Sequence, residues 1–160
     1  LGIDLSGIKS VVWHMANRQL LAEMEKLRIL VVDDEEEIRN LLQGVLRDIG
    51  IVRVHLAENG AMAWQRLSRS ELDYDLVISD WLMPRMDGLE LLKKMRKCGS
   101  KTPFMMLTVK VTVEAVAAAK AAGVTIYLAK PFTYSDFSKK ISALAKRIIK
   151  DKAASCHLIN

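Results

Sequence analysis

From residue 27 onward the chain alternates two hydrophobic rhythms. Short apolar runs, LRILVV (27–32), IVRVHLA (51–57), DLVIS (75–79), PFMMLT (103–108) and TIYLA (125–129), have the length and composition of buried strands. Between them, apolar residues recur at helical spacing. Ile38, Leu41, Leu42, Val45, Leu46 and Ile49 form one stripe, which Gly50 stops. Asn59-Gly60 opens a second helix through Trp64 and Leu67, LELLKKMRK follows Gly88 as a third, and an alanine-rich fourth runs over 112–122 to Gly123. Phe137, Ile141, Leu144 and Ile148 share one face of the last helix. Strand and helix thus alternate five times, and strands apolar on both faces need helices on both sides. The pattern predicts an α/β domain built on a doubly wound five-stranded parallel sheet with right-handed crossovers.

Residues 8–26 predict a further helix, free of Pro and Gly, whose apolar face drifts. Ile8, Val12 and Met15 fall on one side and Leu20, Met24 and Leu27 on another. The heptad-like series Trp13, Leu20, Met24, Leu27 points either to helix pairing or to a plain helical lead-in. The expected organisation is an N-terminal helical extension over 1–26, the α/β domain over 27–150, and a frayed tail over 151–160.

Composition narrows the class of protein. With 160 residues, 51% of them hydrophobic, the chain can bury one substantial core. No apolar run reaches the roughly 18 residues of a membrane helix, and the N-terminus lacks a secretory pattern. Cys98 and Cys156 have neither metal-site nor disulfide spacing, and His14, His55 and His157 are scattered, so zinc is not expected and a reducing cytoplasm is. The net charge of +5 is uneven. Five acids fill 33–37; bases gather at Lys93, Lys94, Arg96, Lys97 and Lys101, and again over 139–152. The basic runs read as solvated helix faces or as a surface for an acidic protein partner. No aromatics interleave with them, which argues against nucleic acid.

In an open parallel sheet, ligands bind beyond the carboxyl ends of the strands. The first strand ends at Asp33 and Asp34, the third at Asp80, the fourth at Thr108 and the fifth at Lys130; only the second, at Ala57, brings no such group. Singly, each has an ordinary role in a cap or turn. Four polar strand ends on one edge make a site. Carboxylates crowded there repel one another unless a cation relieves them, and oxygen-only ligands favour Mg²⁺. Lys130 then suits a phosphate oxygen, Thr108 offers a hydroxyl donor, and a carboxylate can attack phosphorus. Asp33 and Asp34, a pair opening a helix, suit the metal. Asp80, alone on the central strand, is the nucleophile candidate.

VVDDEEEIRNLL, VISDWLMPRMDG, the Leu107-Thr108 step and YLAKPF together resemble the receiver domain of two-component response regulators, over about 27–150 with every landmark in order. ISDWLMPRMDGLELL, AAAKAAG and KPFTYSDF are similar in particular to the single-domain chemotaxis regulators. The resemblance implies a flavodoxin-like strand order of 2-1-3-4-5 and Asp80 as phosphoacceptor. It implies Mg²⁺ held by Asp33, Asp34, Asp80 and the Leu82 backbone carbonyl, Thr108 and Tyr127 as switch residues, Lys130 as the phosphate-binding lysine, and a cis Lys130-Pro131 bond. It also implies a sensor histidine kinase or phosphotransfer protein as donor, and an output protein such as a flagellar motor switch component as target. Two departures stand out: branched Val109 after Thr108, where the family commonly has a small residue, and apolar Leu82, where some relatives carry a polar one. Both would lengthen the phosphoryl lifetime.

Other classes fit less well. An aspartyl-phosphate phosphohydrolase places its nucleophile in a DxDx motif after the first strand; here that strand ends in DDEEE, with no cap domain evident. A degenerate receiver would not keep the complete residue set. A receiver piece of a larger regulator, or a phosphate sink or relay, remains an alternative to a regulator acting by protein contact.

Overall fold

The computed structural model describes residues 5–69 and 73–157. Its elements run α1 (Leu5–Lys26), β1 (Arg28–Val32), α2 (Glu36–Asp48), β2 (Arg53–Ala57), α3 (Gly60–Leu67), β3 (Leu76–Asp80), α4 (Gly88–Lys97), β4 (Phe104–Thr108), α5 (Val113–Ala121), β5 (Ile126–Ala129) and α6 (Tyr134–His157). All strand pairs are parallel, in the order β2-β1-β3-β4-β5. This is the doubly wound sheet that the apolar runs call for.

Alternate residues of the central strands feed two cores. Ile29, Val31, Ile78, Met105 and Leu107 face α2 and α6; Leu30, Val32, Val77, Phe104 and Met106 face α3, α4 and α5. Strands β3 and β4 are buried at every position, which explains why their sequences show no polar alternation. Helices start and stop on local chemistry. Asn59, Asp87 and Thr112 each accept a backbone N–H as N-caps, and Asp87 forms a reciprocal capping box with Glu90.

The C-terminal end of the chain differs from expectation. Residues 151–157 are helical rather than frayed, because α6 continues through them; 158–160 lie outside the described residues. Within these turns Lys152 Nζ lies 2.6 Å from Asp75 Oδ1 at the base of β3. Helix α1 packs beside this part of α6. Met24 and Leu27 are buried in the α2/α6-side core, with Leu20 packed against it. The helix pairing hinted at by the apolar series is therefore satisfied within the chain; the Trp13 side chain lies outside the described residues. No described helix is long and apolar enough to cross a membrane.

Candidate functional site

The parallel register brings the carboxyl ends of β1, β3, β4 and β5 to one edge of the sheet. Asp33 follows β1 and is fully buried, and Asp80 ends β3 with 7% exposure. Carboxylates so placed need partners, and both find Lys130. Its Nζ lies 2.7 Å from Asp80 Oδ1 and 3.1 Å from Asp33 Oδ2, reaching across the end of β4. The Lys130 backbone is held by a 2.8 Å bond from its N–H to the Thr108 carbonyl, and the Lys130-Pro131 bond is cis.

Each acid has a further backbone partner. Asp33 Oδ1 accepts the Glu35 N–H at 2.9 Å, fixing the turn into α2. Arg39, which no motif in the sequence singles out, donates to the Asp33 carbonyl at 2.7 Å and the Asp34 carbonyl at 3.1 Å. Asp80 receives the Leu82 N–H. That donor lies in the backbone, so the identity of residue 82 gives no sign of it. The Asp34 side chain is exposed and does not join the buried pair: among the described residues, no three acidic, His or Cys side chains converge as a metal cage. The donors that do converge are oxygen, which suits a hard divalent cation.

Charge is unevenly settled across the pair. Burial pushes the Asp80 carboxyl above its ordinary pKa, and the Lys130 hydrogen bond and charge only partly offset that. Burial alone would lower the Lys130 ammonium, but Asp80 and Asp33 outweigh it and hold its pKa above the usual value. Burial thus wins at the carboxylate and pairing wins at the ammonium.

Thr108, at the end of β4, is 1% exposed, and its Oγ1 accepts the Lys110 N–H at 2.9 Å. Tyr127, on β5, is turned inward towards it. The Tyr127 ring meets Trp81 edge-on, with centroids 6.3 Å apart and planes at 84°. Its buried oxygen has no hydrogen bond of good geometry among the described residues. Burial pushes the phenol's pKa up, and the adjacent Thr108 hydroxyl moderates the rise. Lys110 places its Nζ 5.1 Å from the Trp81 ring centroid.

The loop after β3 is shaped by close approaches. The Gly88 N–H bonds the Trp81 carbonyl at 2.9 Å, and the Gly60 N–H bonds the Met86 carbonyl at 3.1 Å. Around the mouth, Leu82, Val109, Val111 and Val113 are all exposed. Lys139 and Lys140 are both exposed on α6. Lys139 lines a groove with Ile49, Tyr134, Ser138 and Lys146 on the α2 side. Lys140, about 100° further round the helix, does not line that groove. A cavity of about 720 Å³ lined by Trp64, Tyr74, Met95 and Cys98 lies at the other end of the sheet and holds none of the strand-end groups.

Comparison with known proteins agrees with this geometry. Residues 29–142 match the family described as response regulator receiver domain. Chemotaxis protein CheY-3 of Vibrio cholerae is 33% identical over 126 residues, covering 78% of this chain and 95% of that one. A Campylobacter jejuni CheY homolog is 38% identical over 117 residues, 72% and 89% of the two chains. The structure of Vibrio cholerae chemotaxis protein CheY4 superposes with a TM-score of 0.66 at 32% identity, over 74% of this chain and 98% of that one. The receiver domain of Francisella response regulator 1452 superposes at 0.70 and 30% identity, over 76% and 98%. With its sheet order, its strand-end residues and these matches in accord, the chain belongs to the response regulator receiver-domain family of two-component signal transduction.

Proposed function

We propose that Asp80 accepts a phosphoryl group from a partner's phosphohistidine, and that the chain answers by changing its protein contacts. One observation carries this reading. Asp80 is a buried carboxylate at the end of the central strand, paired with a partly buried lysine that can follow the charge onto phosphate. The Asp80 oxygen not paired with Lys130 forms the new O–P bond while the donor's N–P bond breaks. The bonding pair stays on the departing imidazole nitrogen. Lys130 then pairs with a phosphoryl oxygen, and the Thr108 hydroxyl can donate to another.

The donor set fits Mg²⁺. Asp33 and Asp80 would hold it with the Leu82 carbonyl and waters, and Asp34 would act from the rim. When bound, the ion neutralises charge between carboxylate and phosphoryl oxygens. The protein signals rather than turning over outside substrates, and it acts on its own phosphorylation and dephosphorylation. Similarity to the CheY proteins favours a chemotaxis-type output through an acidic surface such as a flagellar switch component. The donor would be a sensor histidine kinase or phosphotransfer protein, and the setting the cytoplasm.

Incubation with acetyl phosphate and Mg²⁺ is expected to add one base-labile phosphoryl group to the wild type and none to Asp80→Asn. Equal labelling of the two proteins would remove Asp80 from the role.

A further inference from the structure

Lys110 is the one cation, among the described residues, that the structure sets over the ring of Trp81, the residue next to the phosphoacceptor candidate. Two contacts hold it. Its ammonium lies 5.1 Å from the Trp81 ring centroid, and its backbone N–H donates to Thr108 Oγ1 at 2.9 Å. Trp81 is 4% exposed, and its ring also meets Tyr127 edge-on. Lys110 is exposed. Thr108, Lys110, Trp81 and Tyr127 therefore form one chain of contacts beside the Asp80–Lys130 pair.

We propose that Lys110 is a second phosphoryl-pairing cation, parked on Trp81 while Asp80 is unmodified and released when Asp80 carries phosphate. This rests on the phosphoacceptor reading above and names a residue that reading does not use. The parked state is held by contacts that phosphorylation itself removes. If the Thr108 side chain rotates to bring its hydroxyl to a phosphoryl oxygen, Oγ1 moves away from the Lys110 N–H that it now accepts. The loop from Val109 to Val111 then loses its tie to the end of β4. At the same time a dianion appears at Asp80, and among the described residues the exposed Lys110 ammonium is tethered by a ring face alone. Because Lys110 is exposed, its contact with the ring is worth about 0.5–1 kcal/mol, whereas hydrogen bonds to charged groups run to about 1.5–3 kcal/mol. The ammonium moves to the phosphate. The Trp81 face that it covered is freed, between the valines of the β4–α5 loop and the Tyr127 ring.

The test uses the full chain carrying Trp13→Phe and Trp64→Phe, so that emission reports Trp81 alone. Acetyl phosphate with Mg²⁺ is the phosphodonor, and incorporation is followed by intact mass. Phosphorylation is expected to change Trp81 emission when Lys110 is present. In Lys110→Met the unmodified protein should already emit like the phosphorylated parent, and phosphorylation should change it little. Lys110→Met should also slow labelling by about two- to fivefold, the range of an exposed ion pair, with a weaker dependence on salt; Lys110→Arg should restore both. Normal incorporation with the same emission change in Lys110→Met as in the parent overturns the role of Lys110 while leaving Asp80 in place. Absence of incorporation in the parent overturns the phosphoacceptor reading, and the proposal with it.

Discussion

A side chain at Gly88 would run into the backbone carbonyl of Asp80. The first residue of α4 and the end of β3 therefore approach so closely that only hydrogen fits between them. The same turn is tied by the bond from the Gly88 N–H to the Trp81 carbonyl. Gly88→Ala is expected to cost about 1–3 kcal/mol, the scale of overpacking, and to slow labelling at Asp80 by shifting that strand end. Gly44 is the contrast: it sits inside α2, and a Cβ added there would meet nothing within 4 Å. Gly44→Ala should add about 0.5–1 kcal/mol through helix propensity alone. Urea unfolding of both variants checks the pair, and equal effects of the same sign would contradict the close approach at Gly88.

The parts of this arrangement that were legible in the sequence are those fixed by local pattern. Five apolar runs announced the strands, and their last residues announced Asp33, Asp80, Thr108 and Lys130, because a parallel sheet must deliver strand ends to one edge. Strand two was read two residues too long. Ile51 is fully buried like a strand residue, yet pairing begins only at Arg53. What the pattern could not show depends on long-range packing. The apolar Leu20, Met24 and Leu27 look the same whether they meet another chain or, as here, this chain's own core. The turns of α6 past Lys150 are accompanied by an ion pair to Asp75, 77 positions away. The Leu82 N–H that reaches Asp80 is invisible to any reading of side chains.

Asp75 illustrates how a weak surface contact and a strong buried one share a carboxylate. Its Oδ2 accepts the Arg28 N–H at 2.9 Å, and its Oδ1 meets Lys152 at 2.6 Å. The Asp75 side chain is mostly buried, whereas that of Lys152 is 61% exposed. Asp75→Ala strands a backbone donor at the start of β1 and is expected to cost about 1–3 kcal/mol. Lys152→Ala removes an exposed partner only, with an expected cost of at most about 1 kcal/mol. Denaturation midpoints decide the point: a larger loss for Lys152→Ala would show that the ion pair, not the strand contact, is what matters.

His55 gives the fold a pH-dependent limb away from the site. Its Nδ1 lies 2.7 Å from the Tyr74 hydroxyl, and the rings meet edge-on at 5.5 Å. Burial, then Arg66 and Arg28, hold the imidazole below its ordinary pKa. A histidine depressed in the folded state contributes stability that is present above the unfolded value, about 6.5, and lost as pH falls through the folded value. Wild type should lose stability over that window, and His55→Gln should lose less of it. Parallel stability curves for the two proteins would exclude His55 as the source.

At the site itself the sign is reversed. Burial leaves the Asp80 pKa raised despite Lys130, so the folded protein holds that proton more tightly than the unfolded chain does. The associated stability is fullest below the unfolded carboxylate value, about 3.9, and is lost as pH rises through the folded one. At neutral pH the ionised Asp80 therefore works against folding, and Asp80→Asn is expected to be more stable than wild type. The advantage should shrink as pH falls towards about 4, where wild-type Asp80 takes up its proton. Lys130→Met acts in the opposite direction, because it leaves fully buried Asp33 and nearly buried Asp80 without their shared cation. Its expected cost at neutral pH is about 3–5 kcal/mol, the scale of breaking a buried pair, and acid should relieve it as Asp80 protonates. Thermal unfolding of wild type, Asp80→Asn and Lys130→Met across that range tests both signs together. A neutral-pH loss in Asp80→Asn would mean that pairing, not burial, dominates at the carboxylate, and that Asp80 is stabilised rather than held under tension by its surroundings.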